Sequence, residues 1–243
     1  MSTPESGYEN EYYGLIVTGY ARMTPILELL LIIVLLAWIF RQVRKPSGWL
    51  GRRMLSAMNL SHAAMTDWGL QQFTVPKNAA ILDVGCGGGR TVRALAALAP
   101  TGRVVGLDYS AASVAVSKES NVREIQAGQV QIEQGSVAAL PFPDRTFDIV
   151  TAVETHYYWP NLPANVREIL RVLKPGGTFL LIAETYRGGP FRLLYGIVMP
   201  LLRATFLSDV EHRDLLTHAG FIEVTTKHVP GKNWICAMGR RPL

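Results

Sequence analysis

The sequence predicts an α/β fold in which a mostly parallel sheet is covered by helices on both faces, and three observations carry that expectation. An apolar run enters a glycine cluster at Ile81-Leu-Asp-Val-Gly-Cys-Gly-Gly-Gly-Arg90, a strand-to-helix turn whose bare backbone can approach a ligand closely. A second apolar run, Val104-Val-Gly-Leu-Asp108, ends on a carboxylate 23 residues after Gly85, the spacing of the next strand tip in a β-α-β unit. From residue 80 onward, strand-like and helix-like patterns alternate as consecutive β-α-β units require.

Taken in order, residues 1–22 are polar, rich in tyrosine and expected to be loosely ordered. Met23 to Phe40 is a window of 18 residues whose only charge is Glu28, followed by Arg41, Arg44, Lys45, Arg52 and Arg53. This predicts an N-terminal hydrophobic helix that enters or spans a membrane, with the basic run on the cytoplasmic face. The competing readings are a helix packed on protein and a secretory signal. The acidic residues before the window and the lack of a small-x-small site after Phe40 weigh against a signal. Pro46-Ser-Gly48 ends the segment. From Trp49 to Phe73, apolar residues at Leu50, Met54, Leu55, Met58, Leu60, Met65, Trp68 and Leu70 predict lid helices lying across the domain that follows.

The alternating part divides the chain into residues 1–46, 47–78 and 79–243. Strands are expected near 80–84, 103–108, 130–135, 147–153, 178–184, 222–228 and 234–239, and helices near 90–99, 111–126 and 164–173. An insertion at about 188–220 carries the apolar stretch from Phe191 to Leu202. It falls above the carboxyl ends of the strands, where open α/β sheets bind ligands, and is expected to cap a substrate.

Composition narrows the function classes. The chain has 243 residues, enough for one sizeable core, and its net charge of +5 owes much to the basic run, which suits anionic lipid headgroups. No basic-aromatic interleaving suggests nucleic acid. Two cysteines, Cys86 and Cys236, make no disulfide framework, and no Cys/His cluster has metal-ligand spacing, so no metal is expected.

Three further stretches follow the glycine loop and Asp108. They are Gly135-Ser136-Val137, the run from Leu140 to Val150, and Arg171-Val-Leu-Lys-Pro-Gly-Gly-Thr-Phe179. In this order and spacing the chain resembles the class I methyltransferases that use S-adenosylmethionine (SAM), over roughly Asp67 to Arg240. The resemblance implies a Rossmann-like sheet of seven strands with the last inserted antiparallel, and SAM as cofactor. It implies that Gly85, Cys86, Gly87 and Gly89 lie under the methionine part with Asp83 near its amino group. Asp108 would take the ribose, Tyr109, Ser136 and Val137 the adenine, and Val153 the end of the fourth strand beside the cofactor. Ser136 stands where many members have an acid, so its bond to the adenine amino group lacks charge assistance. Lys174-Pro-Gly-Gly177 is expected to be a turn that stops a helix and launches a strand.

Methyl transfer needs an in-line approach in a dry site, with a general base where the acceptor must lose a proton. The segment after the fourth strand, Glu154-Thr-His-Tyr-Tyr-Trp-Pro160, is where a base would project. His156 is the first candidate and Glu154 the second; His62 could reach in from the lid, while His212 and His218 are expected on the surface. Tyr157, Tyr158 and Trp159 could wall the site or pack in the core. The expected function is methyl transfer to a small, apolar or lipid-soluble acceptor. A membrane-tethered SAM-binding module without turnover is the alternative, and an NAD oxidoreductase is disfavoured by Asp83 and the Leu-Lys-Pro-Gly-Gly stretch.

Overall fold

A computed structural model describes residues 27–243 apart from residues 36 and 43. The chain divides into two compact units, one ending at residue 43 and one spanning Arg44–Leu243.

In the first unit, residues 27–35 and 37–42 are helical (α1) and expose Leu29, Leu31, Ile33 and Val34 among others. Residues 23–26 of the expected hydrophobic window, and the tail before it, lie outside the described residues. Among the described residues, which include only part of the expected window, no helix is long and apolar enough to cross a membrane.

The second unit begins with α2 (Gly48–Ser61) and α3 (Ala63–Leu70) and continues through β1 (Ala80–Val84), α4 (Arg90–Leu98), β2 (Arg103–Asp108), α5 (Ala111–Ser120), α6 (Val122–Gln126) and β3 (Val130–Gln134). Then come β4 (Phe147–Val153), a 3-10 turn at His156–Tyr158, α7 (Leu162–Val172), β5 (Leu173–Ala183), α8 (Arg192–Leu201), α9 (Asp209–Ala219), β6 (Ile222–His228) and β7 (Ile235–Arg240). The sheet has seven strands in the order β3-β2-β1-β4-β5-β7-β6. It is parallel from β3 to β5, while β7 runs antiparallel between β5 and β6.

Alternating side chains of β1 feed two cores. Leu82 and Val84 pack with Val166 and Ile169 of α7 and Leu216 of α9 on one face, and Ile81 packs with Val92 and Leu95 of α4 and Met65 of α3 on the other. The strand order reverses between β1 and β4, which opens a crevice at the carboxyl ends of these strands.

Three elements depart from expectation. The long helix at 111–126 breaks at Asn121, whose buried side chain turns back to the carbonyls of Gly89 and Ser117. Lys174 to Gly177 lies within β5 as a register shift, with Phe147 opposite Leu173 but Ile149 opposite Thr178, and Lys174 is held by Asp148. In the lid helices Leu55, Met65 and Leu70 are buried, but Leu60 faces outward.

Candidate active site

The crevice has a backbone-built end and a side-chain-built end. At the first, β1 passes into the glycine loop, and the N–H groups of Gly85 and Cys86 both donate to the carbonyl of Leu107 on β2. Gly85 and Gly89 have φ of 78° and 81°, and both are hemmed in. A Cβ on Gly85 would lie 2.3 Å from the Thr155 side chain, and one on Gly89 would lie 2.9 Å from the Ser117 backbone. Gly89 opens α4 without a side-chain cap, so the first N–H groups of that helix remain available to a ligand.

Asp108 is buried at the tip of β2. Its Oδ2 accepts from Gly87 N at 3.0 Å and its Oδ1 from Ser110 N at 2.8 Å. Asp83 is deeper and accepts from Thr151 Oγ1 at 2.7 Å; burial, reinforced by nearby Asp108, pushes its pKa up to about 7. The loop is therefore closed by the Leu107 carbonyl. Cys86 is buried and donates to Ser117 Oγ, and burial holds its thiol well above its ordinary pKa.

Tyr109 donates its hydroxyl to the carbonyl of Arg44, and the Lys45 ammonium stands 5.2 Å from its ring centre. Ser110 Oγ donates to Pro46 O at 2.8 Å, so residues 44–46 form a strap beside the end of β2. Ser136 is exposed and accepts from Ala138 N, while Val137 is buried. Val153 is partly buried at the end of β4. The lid is tied to the loop by Asn59, which donates to Gly88 O, and by the Arg90–Asp67 ion pair, neither of which sequence pattern singled out.

The second end gathers side chains from three distant places. Glu154 follows β4 with φ 58°, a left-handed conformation that costs a residue with a Cβ about 1 kcal/mol or more. Its Oε1 accepts from the Glu184 N–H and from the Tyr157 hydroxyl, which in turn accepts from Thr185 N and Oγ1. Burial raises its pKa to about 7. Glu184, just past β5, faces His62 Nε2 of the α2–α3 junction at 3.4 Å. One ligand atom each from His62, Glu154 and Glu184 lie within 4.8 Å of one another, a set that could hold a cation where none was expected. Each already has a protein partner, however, and the group reads equally as a proton-handling cluster.

His156, the first candidate base, is placed behind this cluster. It is wholly buried, its ring 4.2 Å from that of Tyr157, and its Nε2 lies 3.4 Å from His212 Nε2. His212 Nδ1 donates to Ser208 O, so His212 Nε2 must accept and His156 Nε2 must donate, which leaves His156 Nδ1 buried without a partner among the described residues. Burial keeps the pKa of His156 well below its ordinary value. The expectation of a surface His212 is corrected, since α9 turns His212, Leu216 and Ala219 inward; His218 points out.

With this geometry established, the relatives are informative. A family model described as "Methyltransferase domain" matches residues 82–181. The chain is 32% identical over 179 residues to a demethylmenaquinone methyltransferase of Geobacillus sp. (strain WCH70), covering 70% of this chain and 73% of the relative. It is 32% identical over 145 residues to a sterol 24-C-methyltransferase of Neurospora crassa, covering 59% of this chain and 34% of the relative. Human N-acetylserotonin methyltransferase, solved in complex with SAM, shares the fold with a TM-score of 0.66 at 20% identity, covering 79% of this chain and 56% of that one. The glycine cradle, Asp108 at the tip of β2 and these relatives agree: the chain belongs to the class I SAM-dependent methyltransferases.

Proposed function

We propose that this methyltransferase acts on a lipid-soluble acceptor bound at the ends of β4 and β5, with Glu154 as its base. The observation that carries the reading is the Glu154 carboxylate: its backbone is strained, one oxygen is fixed by Tyr157 and the Glu184 N–H, and Oε2 has no partner among the described residues. A carboxyl group with a pKa of about 7 accepts a proton readily at neutral pH.

When bound, SAM supplies an electrophilic methyl group. In this reading, Gly85, Cys86, Gly87 and Gly89 offer backbone to its methionine part, and Asp83 takes up the ammonium charge once that charge favours its ionised form. Asp108 keeps lone pairs for the ribose hydroxyls beyond its two backbone bonds, while Tyr109, Ser136 and Val137 bound the adenine and Val153 lies beneath the methyl-bearing end. His62 and Glu184 orient the acceptor's polar group. His156 acts as a positioning residue through the ring of Tyr157.

Support for a lipid-soluble acceptor comes from the named activities of the quinone and sterol methyltransferases among the relatives. The apolar stretch at residues 23–40 supports membrane association of the chain. The test is incubation with isotope-labelled SAM and parallel panels of quinone-like, sterol-like and water-soluble acceptors. Label in the lipid phase is expected; label confined to water-soluble acceptors would overturn the reading.

A further inference from the structure

Helix α8 presents an apolar stripe to solvent. Leu193, Leu194, Ile197 and Leu201, at positions i, i+1, i+4 and i+8, fall within one arc of the helix and are 80, 58, 67 and 63% exposed. Phe191 continues the stripe at 55% exposure. Arg192, Gly196 and Pro200 are the other exposed residues of the helix, and Arg192 falls outside the arc of the stripe, so no polar side chain lies within it. A helix packed on a protein surface ordinarily turns a polar face outward, and a stripe of this size marks a contact surface.

The opposite side of α8 is already occupied. Met199 is buried in the core that α7 and α9 share, the Tyr195 ring lies 6.5 Å from Phe206, and burial, followed by the nearby charges of Glu184 and Glu154, pushes the Tyr195 hydroxyl above its ordinary pKa. The helix therefore roofs the acceptor end of the crevice with one face while the other stays bare. Arg192 and Arg203 stand near the two ends of α8, and neither forms an ion pair among the described residues, whereas Arg187 is taken up by Glu211. A bare apolar stripe flanked by unpaired guanidinium groups on a chain of net charge +5 complements an anionic lipid interface. Antiparallel packing against a second copy would bring Arg192 of one chain beside Arg203 of the other, like charges at both ends of the contact.

We propose that the outer face of α8 docks on an anionic bilayer, seating the acceptor site at the lipid surface. This deepens the lipid-acceptor reading, and rests on it for the route by which acceptor enters. It does not depend on α1, because the contact is made by α8 itself.

The test uses the full chain carrying Ile197→Cys labelled with a polarity-sensitive dye; Cys86 and Cys236 are both buried, so the label is selective. A second chain carries the dye at the exposed Gln126, in the short helix before β3. Phosphatidylcholine vesicles are added with and without phosphatidylglycerol. The expected result is a blue shift and at least five-fold protection from an aqueous quencher at position 197 with the anionic vesicles, no change at position 126, and loss of the shift in R192E/R203E. A dye at position 197 that stays solvent-exposed would overturn the proposal, as would one shielded without vesicles in proportion to protein concentration, which would assign the stripe to a second copy. A third arm compares L193S/I197S with the unmodified chain. Affinity for S-adenosylhomocysteine should stay within two-fold, while turnover of a vesicle-borne quinone-like acceptor falls at least ten-fold and turnover in detergent does not. The dye readout is independent of methylation, so failure of α8 docking and failure of the lipid-acceptor reading are separately visible.

Discussion

Asp108 and Glu154 are both acids at the crevice, but they are held in different ways. Asp108 is fixed by the N–H groups of Gly87 and Ser110, within a few residues or one strand of itself. Glu154 is fixed by Tyr157 and by the backbone of Glu184 on the neighbouring strand, and it faces a histidine contributed by the lid. In the proposed reading the β1–β2 end recognises one invariant ligand largely with backbone, which a short glycine-rich stretch can encode. The β4–β5 end, where the acceptor is proposed to bind, is assembled from side chains far apart in the chain. Substitutions at the first end should therefore alter cofactor affinity, and those at the second should alter turnover.

The largest effect that sharpens this contrast is expected at the cofactor end. Asp108→Ala should weaken S-adenosylhomocysteine binding by about 1–3 kcal/mol, the cost of leaving ribose hydroxyls and the Gly87 N–H without an acceptor. Calorimetry with unchanged affinity would break the assignment. Next, Tyr157→Phe removes one of the bonds that aim Glu154; kcat should fall by about ten-fold, on the order of one neutral hydrogen bond, with cofactor affinity unmoved. Equal losses in both quantities would mean that the two ends are not separable.

A smaller effect concerns stability. Asp83 and Glu154 both have folded pKa values raised to about 7 by burial, above their unfolded values. Their contribution is complete below the ordinary carboxylate range of about 4 and is lost as pH rises through about 7. The melting temperature of the ligand-free protein should accordingly fall by several degrees between about pH 5 and pH 8, and S-adenosylhomocysteine, whose ammonium offsets the charge on Asp83, should recover part of the loss. A rise over that window would contradict the placement of both acids. The smallest effect is expected from chelation: with His62, Glu154 and Glu184 handling protons, EDTA should leave turnover within two-fold, whereas a loss restored by a divalent cation would make the cluster a metal site.

The same contrast explains what could be read from the chain. The glycine loop, Asp108 and the strand positions were legible because strand periodicity and glycine geometry are local properties. Glu184 and His62 are 122 residues apart, and only the parallel pairing of β4 with β5 and the docking of the lid bring them beside Glu154. His156 drew attention by its place after β4, yet the 3-10 turn directs it inward against His212. The i, i+4, i+7 spacing of His212, Leu216 and Ala219 did signal that α9 buries this histidine, but the charged residues between them masked it. Lys174 to Gly177 looked like a turn because it contains Pro and Gly; strand pairing on both sides absorbed it as an irregularity within β5.

The separation of the two ends is tested most directly by Glu154→Gln, which keeps the shape and the acceptor oxygen of the side chain and removes its ability to take a proton. Its affinity for S-adenosylhomocysteine should stay within two-fold of the unmodified protein, kcat for an acceptor that must be deprotonated should fall by about 10²-fold or more, and the rise of rate with pH through about 7 should disappear. Near-normal turnover with an unchanged pH profile would contradict the account and leave methyl transfer here to positioning alone.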